Sequence, residues 1–275
     1  MKYFSVPDYH MHTPRCNHAV GDVRTYAQAA IKHGLTEIGI SDHSPMPNGF
    51  DAAWRMGLAE LPGYLQEVEM VCDEMQADLT VRIGLEADFH PGTEVAVQSM
   101  IDAYTWDYVI GSVHFIGDWG FDNPDEIHRW DTMDVEDAYV AYFDLLARSA
   151  ATGMFDIIGH PDLIKKFGQR APISSHRVDQ AESNMLDAVK EAGMVLEISS
   201  AGLRKPIKEI YPHERIIEKA AKRQIPFAFG SDAHAPEEVG HGMEACLDML
   251  SRYGVQEMAS FEKRQCIMKP IRALA

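Results

Sequence analysis

Apolar residues along this chain gather into short runs, each ending in a polar cluster and followed by an amphipathic stretch. The runs Tyr3–Tyr9, Glu37–Ser41, Leu79–Glu86, Tyr108–Val113, Phe155–Gly159, Met194–Ile198 and Pro226–Gly230 have strand length and predict seven strands. Between them, Asp22–His33, Leu61–Gln76, Ser175–Ala192 and Pro212–Arg223 predict helices. In the third, Val178, Ala181, Met185, Ala188 and Val189 keep helical spacing, and Gly193 follows as a C-cap. Strands alternating with helices predict parallel β-structure, either an α/β barrel or a doubly wound sheet.

The polar residues favour the barrel. His10, Asp42, Glu86, His114, His160, Glu197 and Asp232 each sit at or just past the end of a predicted strand. In a βα-barrel those ends share one face, where active sites are built. No linker, repeat or low-complexity tract divides the sequence, so residues 1–275 read as one domain.

Composition narrows the choice of partner. With 42 acidic against 25 basic residues the formal net charge is -17. That balance argues against nucleic-acid binding, which needs cations to neutralise phosphates. A small anionic substrate stays compatible, because bound metal ions reverse the local field. Cys16, Cys72, Cys246 and Cys266 show no framework spacing, and MKYFSVPDYH lacks the basic start and apolar run of a signal peptide. No apolar stretch reaches membrane-spanning length. The expectation is a cytoplasmic protein with free thiols.

The chemistry begins at His10-Met11-His12, followed by His18. Residues two apart in an extended segment point to one side, so both imidazoles can reach one ion. Ser41-Asp42-His43-Ser44 and Ser231-Asp232-Ala233-His234 each place a carboxylate beside an imidazole at a predicted strand end. Glu86, His114 and His160 end three more. Carboxylates straight after apolar strands are costly if left dry and unpaired, and metal ions would satisfy them. Mixed imidazole and carboxylate ligation suits zinc, manganese or iron, and a set without cysteine argues against a structural zinc finger. Two or three ions close together need a bridging carboxylate, for which Glu86 is the natural candidate. Such clusters carry out in-line displacement at phosphorus.

These motifs, from DYHMHTPRCNH through SDHSP, GLEADF, GSVHFI and DIIGHPDLIKKFG to SAGLRKPIKEIYP and GSDAHAPEEVG, span nearly the whole chain. In them the sequence resembles the PHP (polymerase and histidinol phosphatase) superfamily, and within it the monofunctional histidinol-phosphatases. The resemblance implies a distorted seven-stranded βα-barrel with a trinuclear metal centre. It assigns His10, His12, Glu86 and Asp232 to a first ion. Glu86 bridges to a second ion held with His114 and His160, and His18, His43 and His234 hold a third. It also implies that Arg204 contacts the substrate phosphate through a bidentate guanidinium fork. Arg15, between His12 and His18, is a further candidate for that contact. One departure stands out: Glu197 is followed by Ile198-Ser199-Ser200, where these phosphatases commonly carry Glu-x-Asn-Thr.

The expected reaction is hydrolysis of a phosphate monoester, L-histidinol phosphate, by a metal-bridging hydroxide, with Glu86, Asp232 and His234 as catalytic residues. Glu197, Asp88 and Asp122 are candidates to meet the substrate's cationic amine and imidazole. The alternative keeps the centre and changes the ester to a nucleotide, a short oligonucleotide or a phosphotyrosine peptide. A non-catalytic metal-binding domain would lack ligands, whereas all nine positions are filled here. Asp42 is expected to orient a ligand. His90 and His128 are candidates to line the pocket, Asp118-Trp119-Gly120-Phe121-Asp122 to form a lid or a wall, and a packing helix is expected after Cys246.

Overall fold

Six parallel strands form the frame of the computed structural model, which describes residues 3–274. They are β1 (Glu37–Ile40), β2 (Thr80–Asp88), β3 (Tyr108–Ser112), β4 (Ile157–Ile158), β5 (Val195–Ser199) and β6 (Phe227–Gly230). Their spatial order is their order in the chain. Each crossover carries a helix: α2 (Leu61–Met75), α3 (Glu94–Asp102), α4 (Val135–Ala151), α5 (His176–Glu191) and α6 (Glu214–Lys222), while α1 (Val23–Lys32) precedes β1 and α7 (Met243–Ser251) follows β6.

Six of the seven predicted strands appear with shifted ends, Phe155–Gly159 contracting to the two residues of β4. The first differs. Only Tyr3–Phe4 is a strand, and it pairs with Ala273–Leu274. Pro7 has no N–H to give a ladder, so a regular strand cannot run on to Tyr9. Residues 8–12 instead pass between β1 and β6 and bond to both. Asp8 and Met11 carbonyls accept from Gly39 (2.8 Å) and Ser41 (2.9 Å) on one side. On the other, Tyr9 N–H donates to Phe229 O (3.0 Å), and His12 N–H to Ala233 O (2.9 Å). The segment that carries His10 and His12 is thereby fixed against both ends of the curled sheet.

The helices follow the sequence signals closely. Asp22 accepts the Thr25 N–H to cap α1, Ser175 accepts the Val178 N–H to cap α5, and Gly193 takes the left-handed conformation (φ 69°) after α5. On α5, Val178, Ala181, Met185 and Val189 are buried as their spacing predicts.

The C-terminal segment departs from expectation. After α7 it forms an antiparallel hairpin, β7 (Glu257–Glu262) with β8 (Gln265–Pro270), instead of only a packing helix. Ala259 and Phe261 of β7 join Tyr9, Tyr108, Ile110, Ile157, Val195 and Ala228 in a buried cluster at the N-terminal ends of the strands. Alternation in β7 turns these two side chains inward. Gly39 and Gly84 make room for Tyr108, since a Cβ on either would fall within 2.2 Å of its side chain. The floor of the sheet is sealed, and the opposite face stays open. No helix among the described residues is long and apolar enough to cross a membrane.

Candidate metal centre

Glu86, near the end of β2, lies fully buried at the middle of the open face. Its Oε1 accepts the Ser112 hydroxyl (2.6 Å) and lies 3.0 Å from His160 Nε2 and 3.7 Å from His114 Nε2. Its Oε2 faces His43 Nδ1 at 2.8 Å, His10 Nε2 at 3.3 Å and His12 Nε2 at 3.5 Å. Asp232, just past β6, sets its Oδ1 3.1 Å from His12 Nε2 and 3.4 Å from His234 Nδ1. His18 and His234 bring their Nε2 atoms to 2.9 Å. All nine ligand positions predicted from the sequence therefore lie in one cluster, five imidazoles facing Glu86 and the others gathered about Asp232 and His234.

Several donor groups lie within 4.8 Å of one another: His10, His12 and Glu86; His43, Glu86 and His114; and His12, His43 and His234. The first contains three of the four residues that the resemblance assigns to one ion. His43 is less exclusive than that grouping has it, for it reaches Glu86 and His114 as well as His12 and His234. Cys16, to which the sequence assigned no role, is fully buried with its Sγ in reach of His18 and His234. Its thiol donates to Thr13 O (3.1 Å).

The donor set fits divalent ions. His10 Nε2, His12 Nε2, His43 Nδ1 and Glu86 Oε2 are buried, and although Oε2 stands 2.8–3.5 Å from the three ring nitrogens, none of the four makes a properly directed hydrogen bond. A buried polar atom left so costs its full desolvation penalty, and a cation would satisfy all four together. Charge is divided unevenly among the imidazoles. Burial alone would lower His10, but Glu197, Glu86 and Asp232 carry it well above the ordinary histidine value. His114 rises to about 9 against its burial, drawn by Asp88. Burial pushes His43 down to about 4 and His234 well down, with the neighbouring His12 adding to both shifts. Glu86 and Asp232, though buried, are held well below the usual carboxylate range by the surrounding imidazoles. The centre thus offers ionised carboxylates and, at His43 and His234, neutral imidazoles, the forms that bind metal, whereas at His10 and His114 an ion would displace a proton.

A second layer of carboxylates holds the ligands. Glu197 Oε1 lies 2.6 Å from His10 Nδ1, while Oε2 accepts the His160 N–H at 2.5 Å. Gly230 allows this, since a Cβ there would lie 2.0 Å from Glu197 Oε1. Glu197 is only 1% exposed with both oxygens engaged, which corrects its assignment to the substrate. Asp88 is corrected likewise: its oxygens meet His114 Nδ1 (2.8 Å) and Arg55 (2.5 Å). Asp42 accepts from Thr13 and from the His43 N–H (2.8 Å) and faces His12 Nδ1 at 3.4 Å, the orienting position expected of it. His160 (φ 24°) and Asp232 (φ 51°) both adopt left-handed backbone, a conformation that persists where surroundings over-determine it, as at active sites.

Above the ligands opens a pocket of about 340 Å³, walled by Trp54, Arg55, Phe115, Asp122, Lys166 and Lys205. Asp122 lies in this wall, paired with Lys166 at 3.0 Å. The two predicted arginines do not line it. Thr13–Cys16 folds into a capped 3-10 turn that sends Arg15 outward to Glu67 on α2 (2.9 Å). Arg204 sits behind Asp232, donating to the carbonyls of Ser231 (2.7 Å) and Asp232 (2.9 Å) and pairing with Glu238 (3.0 Å). Lys205, one residue on, faces the pocket instead. Ser199 and Ser200 turn their hydroxyls to backbone, the first accepting from Ala201 N–H (3.2 Å) and the second donating to His241 O. Trp119 and Phe121 are core residues, each 1% exposed. His90 packs on Phe50 and His128 bonds locally to Asp125 O, so neither lines the pocket. Arg55, Trp54 and Lys205 had no sequence signal, because only the curl of the sheet brings their loops together.

The PHP domain family model matches residues 8–201, and a PHP-associated model matches residues 211–245. The chain belongs to the PHP family. It is 48% identical to a Deinococcus radiodurans protein named "Probable histidinol-phosphatase", covering 85% of this chain and 88% of that one. To the histidinol-phosphatase of Bacillus subtilis it is 32% identical, over 88% of this chain and 98% of the relative. Among solved structures, the histidinol phosphate phosphatase of Lactococcus lactis, complexed with zinc, L-histidinol and phosphate, has the same fold. It superposes with a TM-score of 0.83 at 22% identity, covering 96% of this chain and 99% of that one.

Proposed function

We propose that this chain hydrolyses L-histidinol phosphate to L-histidinol and inorganic phosphate, using two or three divalent ions held around Glu86. The observation that carries the reading is the cluster of buried, unpartnered imidazole and carboxylate atoms under an open pocket of about 340 Å³. The names of its relatives supply the ester.

His10, His12, His18, His43, Glu86, His114, His160, Asp232 and His234 hold the ions, which are zinc, manganese or iron. Such ions neutralise phosphoryl oxygens and activate water for attack on phosphorus. Glu86, central and ionised, is the shared carboxylate, and Asp232 and His234 stand with it at the floor of the pocket as the catalytic residues. Lys205 on the pocket wall would supply a cation for the substrate phosphate, whereas Lys166 is paired with Asp122. Arg204 acts from behind, by fixing the turn that presents Asp232. Glu197 and Asp88 keep His10 and His114 in orientation, as carboxylates behind ligating imidazoles do.

Residues 1–275 form one catalytic domain in this reading. Residues 8–12 count as the seventh stave of a distorted barrel, which their hydrogen bonds to both β1 and β6 support. A cytoplasmic site of action fits the four free cysteines.

Phosphate release from L-histidinol phosphate, beside a panel of nucleotides and phosphotyrosine peptide, tests the proposal on metal-loaded protein. Chelator-sensitive turnover of histidinol phosphate above all others is expected. Preference for another ester would overturn the substrate, and no turnover of any ester would overturn the enzyme.

A further inference from the structure

The loop between β1 and α2 forms one wall of the pocket through Asp51, Trp54 and Arg55. Residues 44–57 contain neither strand nor α-helix, and short turns hold them locally, such as Trp54 N–H to Asp51 O (3.0 Å). Met56 packs into the core and Phe50 lies on Phe115, and the polar fastening of this wall to the barrel is a guanidinium. The Arg55 side chain is 3% exposed. Its Nε lies 2.8 Å from Asp51 Oδ2 within the loop, and its Nη1 lies 2.5 Å from Asp88 Oδ2 at the end of β2. The other oxygen of Asp88 lies 2.8 Å from Nδ1 of His114, whose Nε2 faces Glu86. Asp51, Arg55, Asp88 and His114 thus form a continuous chain, buried from Arg55 inward, from the pocket wall to the ion-holding cluster. A planar guanidinium can hold two carboxylates in fixed directions, which a flexible ammonium does not.

We propose that Arg55 is a positioning residue that couples the metal centre to the pocket wall: it sets His114 through Asp88 and holds the 45–58 loop through Asp51. This rests on the metal-centre reading above. Ion loading fixes His114, His114 fixes Asp88, and Asp88 with Arg55 fixes the loop. Such coupling is reciprocal, so loosening the loop must weaken the ion site. A second tie, from Asn17 Nδ2 to the carbonyls of Ala52 (3.3 Å) and Arg55 (3.2 Å), joins the loop to the segment carrying His18 but bypasses His114.

The experiment uses full-length protein, zinc alone as the probe, and the variants Asp51→Asn, Arg55→Met, Arg55→Lys and, as a control, Asn17→Ala. Zinc affinity is read by competition with a chelator, and order of the loop by hydrogen exchange over residues 45–58 with and without zinc. Zinc is expected to slow exchange of that segment in the wild type but not in Arg55→Met. Asp51→Asn touches no ligand yet is expected to weaken zinc at the His114 site. Arg55→Met is expected to weaken it about 10- to 100-fold, the range for groups that orient ligands. Arg55→Lys should restore charge without restoring the coupling, and Asn17→Ala, which cuts a tie that bypasses Asp88, should weaken zinc less than Asp51→Asn does. Wild-type zinc affinity in Asp51→Asn, or loop exchange indifferent to zinc, would overturn the proposal. Asp51→Asn keeps the test open should Arg55→Met fail to fold. Because both readouts omit the ester, a wild-type protein inactive on L-histidinol phosphate would refute the substrate and leave this test standing.

Discussion

The two ends of the curled sheet both bury charged and polar groups, and they treat them in opposite ways. At the floor, Glu37 accepts the Tyr9 hydroxyl, the Ser260 hydroxyl (3.0 Å), Lys269 Nζ (2.6 Å) and Arg82 Nε (3.3 Å). Tyr9 in turn accepts the Phe261 N–H (3.0 Å), and among the described residues no polar side-chain atom of Tyr9, Glu37 or Ser260 is left unpaired. At the mouth, His10, His12, His43 and Glu86 each keep a buried atom without a hydrogen-bond partner. Buried polar networks add to stability when fully satisfied and are costly when partly satisfied. The floor is built to hold the fold, and the mouth is built to hold something else.

The comparison breaks most visibly at the mouth. Glu86→Ala removes the carboxylate shared by the ion sites, so phosphate release is expected to fall to background in a steady-state assay while the fold persists. At the floor the largest change is Phe261→Ala, which empties a buried aromatic site. It is expected to cost about 3–5 kcal/mol of unfolding free energy in a denaturant titration. Turnover per folded molecule should not change. A floor variant that lost turnover while remaining folded would show that the two ends are not separate.

Smaller effects sharpen the contrast. Glu197→Gln leaves the strand packing intact but weakens the support of His10, with an expected loss of about 10- to 100-fold in metal affinity or activity. Acid separates the ends differently. Burial alone would raise the Glu37 carboxyl, but Lys269, Tyr9 and Arg82 hold it below its ordinary value. A depressed carboxyl stabilises the fold above its unfolded value, about 4.3, and that contribution is lost as pH falls through the folded value. Melting followed down through pH 4 should therefore show a steeper loss in the wild type than in Glu37→Gln. Arg15→Ala, which breaks only the partly exposed pair with Glu67, is expected to change stability by about 0–1 kcal/mol and turnover hardly at all.

The mouth was largely legible in the sequence, and the floor was not. Metal ligands are chemically rare residues at strand ends, so His10, Glu86, His114 and Asp232 declared themselves by type and place. The hairpin Glu257–Pro270 that seals the floor has ordinary residues, and nothing in Glu257-Met258-Ala259-Ser260 marks them as packing against Tyr9. Direction was the second thing hidden. Glu197, Asp88, Arg15 and Arg204 stand close to ligands in the chain, but only the backbone decides which way each points. Gly230 lets Glu197 turn to His10, the turn at Thr13–Cys16 sends Arg15 to α2, and the Asp232 carbonyl captures Arg204. The first strand was overread because Pro7 sits inside an apolar run whose alternation is otherwise that of a strand.

If the mouth is a divalent metal centre, phosphatase activity depends on its ions. Elemental analysis of the purified, folded protein before and after chelation, with phosphate release from L-histidinol phosphate measured on the same samples, tests it most directly. Two or three bound divalent ions per chain are expected, with loss of turnover as they are removed and recovery on adding zinc, manganese or iron back. A folded protein that holds no divalent ion and turns over the ester equally well after chelation would contradict that dependence.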